Sequence, residues 1–321
     1  MLPPILQNLR IPVMASPMFI VSNPDLVIAQ CKAGIVGSFP ALNAREGDGE
    51  PAMLDIWLTR IAEELDRHNQ ANPDRPAAPF AVNQIVHRSN MRLERDIEIC
   101  HRHKVPIWIT SLGARVEVNE AAHDCGAIAL HDVINNRFAK KAIEKGADGL
   151  VAVAAGAGGH AGPQSPFALV QEIREWWDGP LLLSGAIATG RAVLAAQVMG
   201  ADLAYIGSPF IATTEANAQP EYKQMIVDSS AMDIVNSARF TGIGGNYLGP
   251  SIRAAGLDPD RLDAEAQAMD FGNDTAKAKA WSQIWGAGQG IGAVRDIIPA
   301  AERIDRLAAE YAQARAEIAR P

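Results

Sequence analysis

Cysteine is scarce. Cys31, Cys100 and Cys125 are the only three, odd in number, far apart and without a CxxC spacing. That excludes a disulfide framework and a CxxC zinc or redox motif, and it leads us to expect a reduced, cytoplasmic chain. Positive charge is also short. Lys and Arg number 29 against 37 Asp and Glu, for a net charge of −8. A nucleic-acid footprint needs a basic surface, so no such partner is expected. No run of about 18 apolar residues occurs, so no membrane span is expected. The opening MLPPILQNLRIPVMASPMF lacks a basic n-region and is interrupted by prolines, so it does not read as a signal peptide. Metal-ligand spacing is missing too. His101 and His103 sit two apart on a helical stretch and do not share a face. No metal is expected.

What is present is a regular alternation. Hydrophobic residues make up 48% of the chain and come in short runs: 11–16, 34–39, 80–86, 106–111, 127–132, 149–155, 180–185 and 203–208. These runs are almost continuously apolar, as strands buried on both faces must be. Between them lie amphipathic stretches such as 54–68, 136–147, 166–177 and 190–201, several ending in Gly. Eight such units predict an α/β fold, a (β/α)₈ TIM barrel with an insertion after the last strand and a helical C-terminal tail. Residues 1–212 and 276–321 are expected to form the barrel with its tail. The polar, punctuated stretch 213–275 is expected to cover the barrel's top face and the substrate.

The stretch VAVAAGAGGHAGPQSP, residues 151–166, contains G-x-G-x-x-A after a strand, which raises the dinucleotide fingerprint. Five βα units precede it, the acid expected about 20 residues on is absent, and Pro163 interrupts the turn. The better reading is a loop at the C-terminal end of barrel strand six. Gly158 and Gly159 let the backbone approach a flat ligand, and they hold His160 at the mouth where this fold keeps its catalytic groups. The alternative is a histidine that only hydrogen-bonds its own loop.

Two later stretches point to a phosphorylated ligand. LLLSGAIATGR places Ser184, Gly185 and Ala186 after strand seven, and LAYIGSPFIAT places Gly207 and Ser208 after strand eight. Phosphate in this fold often sits between those two loops, at the N-terminus of a short helix. The paired loops offer one phosphate pocket and no second pyrophosphate site. Other mouth positions follow from the same geometry. Ala15, Ser16 and Met18 follow strand one. Asn83 ends strand three and carries the donor and acceptor that a flavin's pyrimidine edge needs. Thr110, Ser111, His131 and Asp132 end strands four and five. His87, just past strand three, is positioned to look into the site.

Taken together, these residues resemble the nitronate monooxygenase family. The resemblance rests on PVMASPM, the VNQ at 82–84, AGGHAG at 157–162, SGAIATG at 184–190, IGSPFIAT at 206–213 and the tail IWGAGQGIG at 284–292. It implies an FMN-dependent TIM barrel with His160 as catalytic base, phosphate loops at Gly185–Ala186 and Gly207–Ser208, and Gln289 near the cofactor. It implies oxidation of alkyl nitronates by O₂ to carbonyl compounds and nitrite. Of the four tyrosines, Tyr247 is the one placed to line a substrate pocket, together with His87. Related barrels leave two alternatives open: an NAD(P)H-dependent FMN reductase of quinones or enoyl thioesters, and a non-catalytic flavin- or phosphate-binding barrel. The sequence leaves oligomeric state open.

Overall fold

Eight parallel strands make one sheet in the computed structural model, which describes residues 2–45, 52–262 and 283–320. The strands are β1 (Val13–Ala15), β2 (Gly37–Pro40), β3 (Phe80–Ile85), β4 (Ile107–Ser111), β5 (Ile128–Val133), β6 (Gly149–Val153), β8 (Leu181–Ser184) and β9 (Leu203–Ile206). A two-residue β7 (Gly159–His160) lies outside the barrel. The order around the sheet is β1-β9-β8-β6-β5-β4-β3-β2. A parallel bridge between Met14 and Val36 joins its ends, and Ala15 N donates to Val36 O at 2.8 Å. Each of the eight expected runs overlaps one of these strands, with β2 and β5 each extending one residue past its run. This is the TIM barrel expected from the alternation.

Among the described residues, seven α-helices lie between the strands. They are α1 (Pro24–Lys32), α2 (Met53–Ala71), α3 (Leu93–Arg102), α4 (Val116–Asp124), α5 (Asn136–Glu144), α6 (Pro166–Arg174) and α7 (Gly190–Met199). Their starts are written locally. Asn23, Asn135 and Thr189 each accept a hydrogen bond from a backbone N–H of the first turn, satisfying a donor that the helix cannot. Gly200 ends α7 at φ +112°, a conformation that side chains resist.

The pleat sorts the strand residues into two sets. Met14, Val36, Ala81, Ile107, Ile109, Leu130, Val151, Leu182, Leu203 and Tyr205 pack together inside the barrel. Leu6, with Leu2, Ile5 and Leu9, joins this cluster, so the proline-rich N-terminal stretch plugs the barrel. Val82, Trp108 and Ala129 face outward and pack with Ile99, Cys100, Val118 and Ala122 of the helices. The next inward positions toward the C-terminal mouth are Ser16, Asn83, Ser111, Asp132, Val153, Ser184 and Gly207.

After β9 the chain forms α8 (Ser208–Ile211), α9 (Pro220–Asp228), β10 (Ile234–Ser237), β11 (Gly245–Leu248) and α10 (Gly249–Ala254). It ends in α11 (Ala300–Ile318). The polar reading of 213–275 had not suggested strands. β10, β11 and β7 nevertheless form an antiparallel sheet, with Gly245 opposite His160 and Asn246 opposite Gly159. The expected boundary at residues 275 and 276 lies outside the described residues. Tyr222 stacks on Trp285 at 4.9 Å. Tyr222, Ile226 and Leu248 share one core with Val13, Ile35 and Phe210 of the barrel.

Candidate active site

A chain of hydrogen bonds crosses the barrel mouth. Asn83 Nδ2 donates to Ile109 O at 3.1 Å and to Ser111 Oγ at 2.7 Å. A backbone carbonyl only accepts, so the amide nitrogen must face it, and Asn83 keeps Oδ1 as an acceptor. Ser111 Oγ donates onward to Asp132 Oδ2 at 2.6 Å. Asp132 Oδ1 and the Tyr205 hydroxyl are closed to solvent and have no partner among the described residues. Burial pushes the Asp132 carboxyl up to about 6, against the lowering effect of Ser111. Burial also raises Tyr205, and the negative charge of Asp132 raises it further.

Thr110 and His131, both expected at the mouth, share the outward parity of Trp108 and Ala129. They hydrogen-bond each other through Oγ1 and Nδ1 on the helix-facing side. Burial pulls His131 down to about 4. The inward side chains at these strand ends are Ser111 and Asp132 instead. Ser111 and Asp132 had stood beside Thr110 and His131 in the sequence, and the alternation of Ile107 and Ile109 with Trp108 was the signal that separates them.

His160 is fixed from two sides. Its backbone lies in β7, paired with β11, and its Nε2 lies 3.1 Å from Thr241 Oγ1. Thr241 Oγ1 donates to Ile243 O at 3.0 Å, so the contact with His160 is completed by an Nε2–H, which puts the ring's acceptor at Nδ1. Burial lowers the His160 pKa below its ordinary 6.5, so the ring is neutral at pH 7. The two flanking glycines serve different ends. A Cβ on Gly158 would lie 2.7 Å from Gly288 N and 2.9 Å from Ala287 C, so close approach to the tail requires its absence. Gly159 has open space around it but sits at φ +65°, where the backbone favours glycine. Thr241 was not legible in sequence, because its contact with His160 spans 81 residues.

Tyr247 is fully buried in β11, edge-on to Phe240 at 4.9 Å, in a cluster with Ile252 and Ile284. Burial raises its hydroxyl pKa and the neighbouring Thr241 lowers it, so it sits behind His160 as a support. His87 Nδ1 lies 2.8 Å from Ser89 Oγ in the loop after β3.

The candidate phosphate loops come together with the first loop and the tail. A Cβ on Gly207 would touch Ser16 Cβ at 3.4 Å and Met18 Sδ at 3.5 Å. Ala15 sits at the end of β1, buried, and its carbonyl accepts from Ser38 Oγ at 2.5 Å. Gly288 N donates to Ser208 Oγ at 2.8 Å. Gln289 N and Ala186 N both donate to Gly156 O, at 2.9 and 3.2 Å. Ala186 is held at φ +56°, a cost that non-glycine residues bear mainly at functional turns. Gly185 is at φ +141°, and a Cβ there would lie 2.8 Å from Ala155 O. The start of α7 is closed to ligands: Glu310 of α11 accepts from Gly190 N at 2.7 Å, and Thr189 caps Ala192 N. The short helix α8 is the remaining helix start beside these loops.

The nitronate monooxygenase family model matches residues 60–310. The chain belongs to the nitronate monooxygenase family. A nitronate monooxygenase of Paraburkholderia phytofirmans is 26% identical over 94% of this chain and 92% of its own length. Two solved structures share the fold. FabK from Thermotoga maritima has a TM-score of 0.78 at 22% identity, covering 98% of this chain and 96% of its own. A nitroalkane oxidase from Streptomyces ansochromogenes has a TM-score of 0.72 at 23% identity, covering 96% of this chain and 98% of its own. Membership of the nitronate monooxygenase family makes the chain an oxidoreductase. Among the described residues no cluster of His, Cys, Asp or Glu could hold a metal ion. No described helix is long and apolar enough to cross a membrane.

Proposed function

We propose that the chain binds one FMN across its barrel mouth and oxidises alkyl nitronates with O₂ to a carbonyl compound and nitrite. The observation that supports this best is His160, half-buried and uncharged, held at the mouth by β11 and Thr241. Two further features fit a flavin. Asp132 Oδ1 and the Tyr205 hydroxyl are buried polar atoms without protein partners. Gly185 and Gly207 leave a cradle that side chains would narrow.

In this reading Gly185, Ala186, Gly207 and Ser208 hold the phosphate, with Ser184 beneath them. Ala15, Ser16, Met18, Asn83, Gly158, Gly159 and Gln289 bound the ring. When bound, FMN supplies the electron transfer between substrate and O₂. His160 has a narrower task. A neutral imidazole takes the α-proton of a nitroalkane. An imidazolium that attracts the nitronate is disfavoured here, because burial opposes the charged ring. β11 and Thr241 flank His160. A substrate that enters already as a nitronate needs no base.

The direct test is chemical. Purified protein should release FMN rather than FAD, about one per chain, and should form nitrite and carbonyl product in equal amounts from propyl-2-nitronate under air. FAD in the extract, or no nitrite, would contradict the proposal.

A further inference from the structure

The donors at the barrel mouth run in one direction and stop at an oxygen. Asn83 gives a hydrogen to Ser111, and Ser111 gives its own to Asp132 Oδ2. Asp132 Oδ1 then has no partner among the described residues and no contact with water. The inward neighbours from β4, β6 and β8 are Ser111, Val153 and Ser184, none of them charged. From β9 the titratable group facing Asp132 is Tyr205, whose hydroxyl is also unpartnered. His131, next in the chain, is turned to the opposite face of β5. Among the described residues no cation pairs with the carboxylate, and burial without a cation favours the neutral acid.

Resting on the flavin reading above, we propose that Asp132 binds the flavin as a carboxylic acid, donating from Oδ1 to an acceptor on the ring's pyrimidine edge. Asn83 Oδ1 is then the acceptor for that edge's N–H. The arrangement is complementary: a pyrimidine edge offers mostly acceptors and one donor, and the mouth offers a donor at Asp132 and an acceptor at Asn83. An ionised Asp132 would instead present lone pairs to acceptors. Binding at a pH where free Asp132 is ionised therefore takes a proton from solvent onto Oδ1, and no other bond is made or broken. Asp132 acts here as a positioning residue for the cofactor.

The test uses calorimetric titration of FMN into the whole apoprotein, in two buffers of different ionisation heat, from pH 6.5 to 8. Wild type should take up close to one proton per FMN at pH 7.5, and its Kd should rise about tenfold per pH unit. Asp132→Asn keeps an N–H donor at every pH, so it should bind FMN with a nearly flat Kd and take up about one proton fewer. Asp132→Leu has no donor and should bind at least tenfold more weakly than Asp132→Asn at every pH. Equal proton counts in wild type and Asp132→Asn, or equal affinity of the Leu and Asn variants, would overturn the inference. Wild-type binding without proton uptake would also overturn it, with no variant needed, and would leave the flavin reading standing. Failure of wild type itself to bind FMN would overturn both.

Discussion

In the proposed reaction the chemistry turns on His160, whose surroundings oppose its charged form. Its pKa is lowered by burial, so the base form persists as pH falls below the ordinary imidazole range. The acid limb of kcat/KM for a neutral nitroalkane should therefore be centred below the ordinary imidazole value of about 6.5. A limb centred above pH 7 in that profile would contradict a half-buried neutral histidine. Replacing His160 by Asn should lower turnover of the neutral nitroalkane by roughly 10²–10⁴-fold. Turnover of the matching nitronate should fall far less, because that proton has already left. Equal losses on both substrates, with bound FMN quantified, would make His160 structural. Gly207→Asp probes the phosphate end. The position has φ −115° and ordinary contact distances to Ser16 and Met18, so the barrel should fold. A carboxylate about 4 Å from a phosphate charge at an effective dielectric near 20 opposes binding by about 4 kcal/mol. FMN affinity should drop by orders of magnitude in a fluorescence titration, and an unchanged affinity would mean that the phosphate lies elsewhere.

At the scale of elements, the site is an assembly of pieces far apart in sequence. Asn246 of β11 ties the β6 loop to the later segment: its Nδ2 donates to Ala157 O at 2.6 Å, and its Oδ1 accepts from Asn236 at 2.9 Å. Asn246→Ala leaves a buried carbonyl without its donor, at a cost of about 1–3 kcal/mol. Its urea midpoint should fall, and amide exchange across residues 156–162 should accelerate. Unchanged exchange there would mean that β11 does not hold the histidine loop. The barrel strands were legible because fully buried strands are apolar throughout, and the Gly and Asn residues that bound the helices are local signals. β10 and β11 were not legible. IVNS and GNYL are short, and the pairing of β11 with β7 is a tertiary contact that no local pattern announces. The same division runs through the site. Gly158, Gly185 and His160 stand out in sequence because backbone geometry demands glycine around them. Asp132 and Thr241 do not, because the pleat and a contact spanning 81 residues decide their roles.

At the scale of the whole molecule, the barrel supplies one mouth, and among the described residues after β9 it is β11 that pairs with the His160 loop there. The tail Gly288–Gln289–Gly290 inserts between the loops after β6 and β8. α11 caps α7 through Glu310, which leaves the β8 and β9 loops as the proposed anion site. The central claim is that this closed mouth passes electrons from a nitronate to O₂. One measurement tests it most directly: on a single FMN-loaded sample, compare nitronate-dependent O₂ uptake under air with NADH oxidation under anaerobic conditions. The account predicts rapid O₂ uptake with the nitronate and negligible oxidation of NADH. Rapid anaerobic oxidation of NADH, with no O₂ uptake when the nitronate is added, would contradict it and make the protein a flavin reductase.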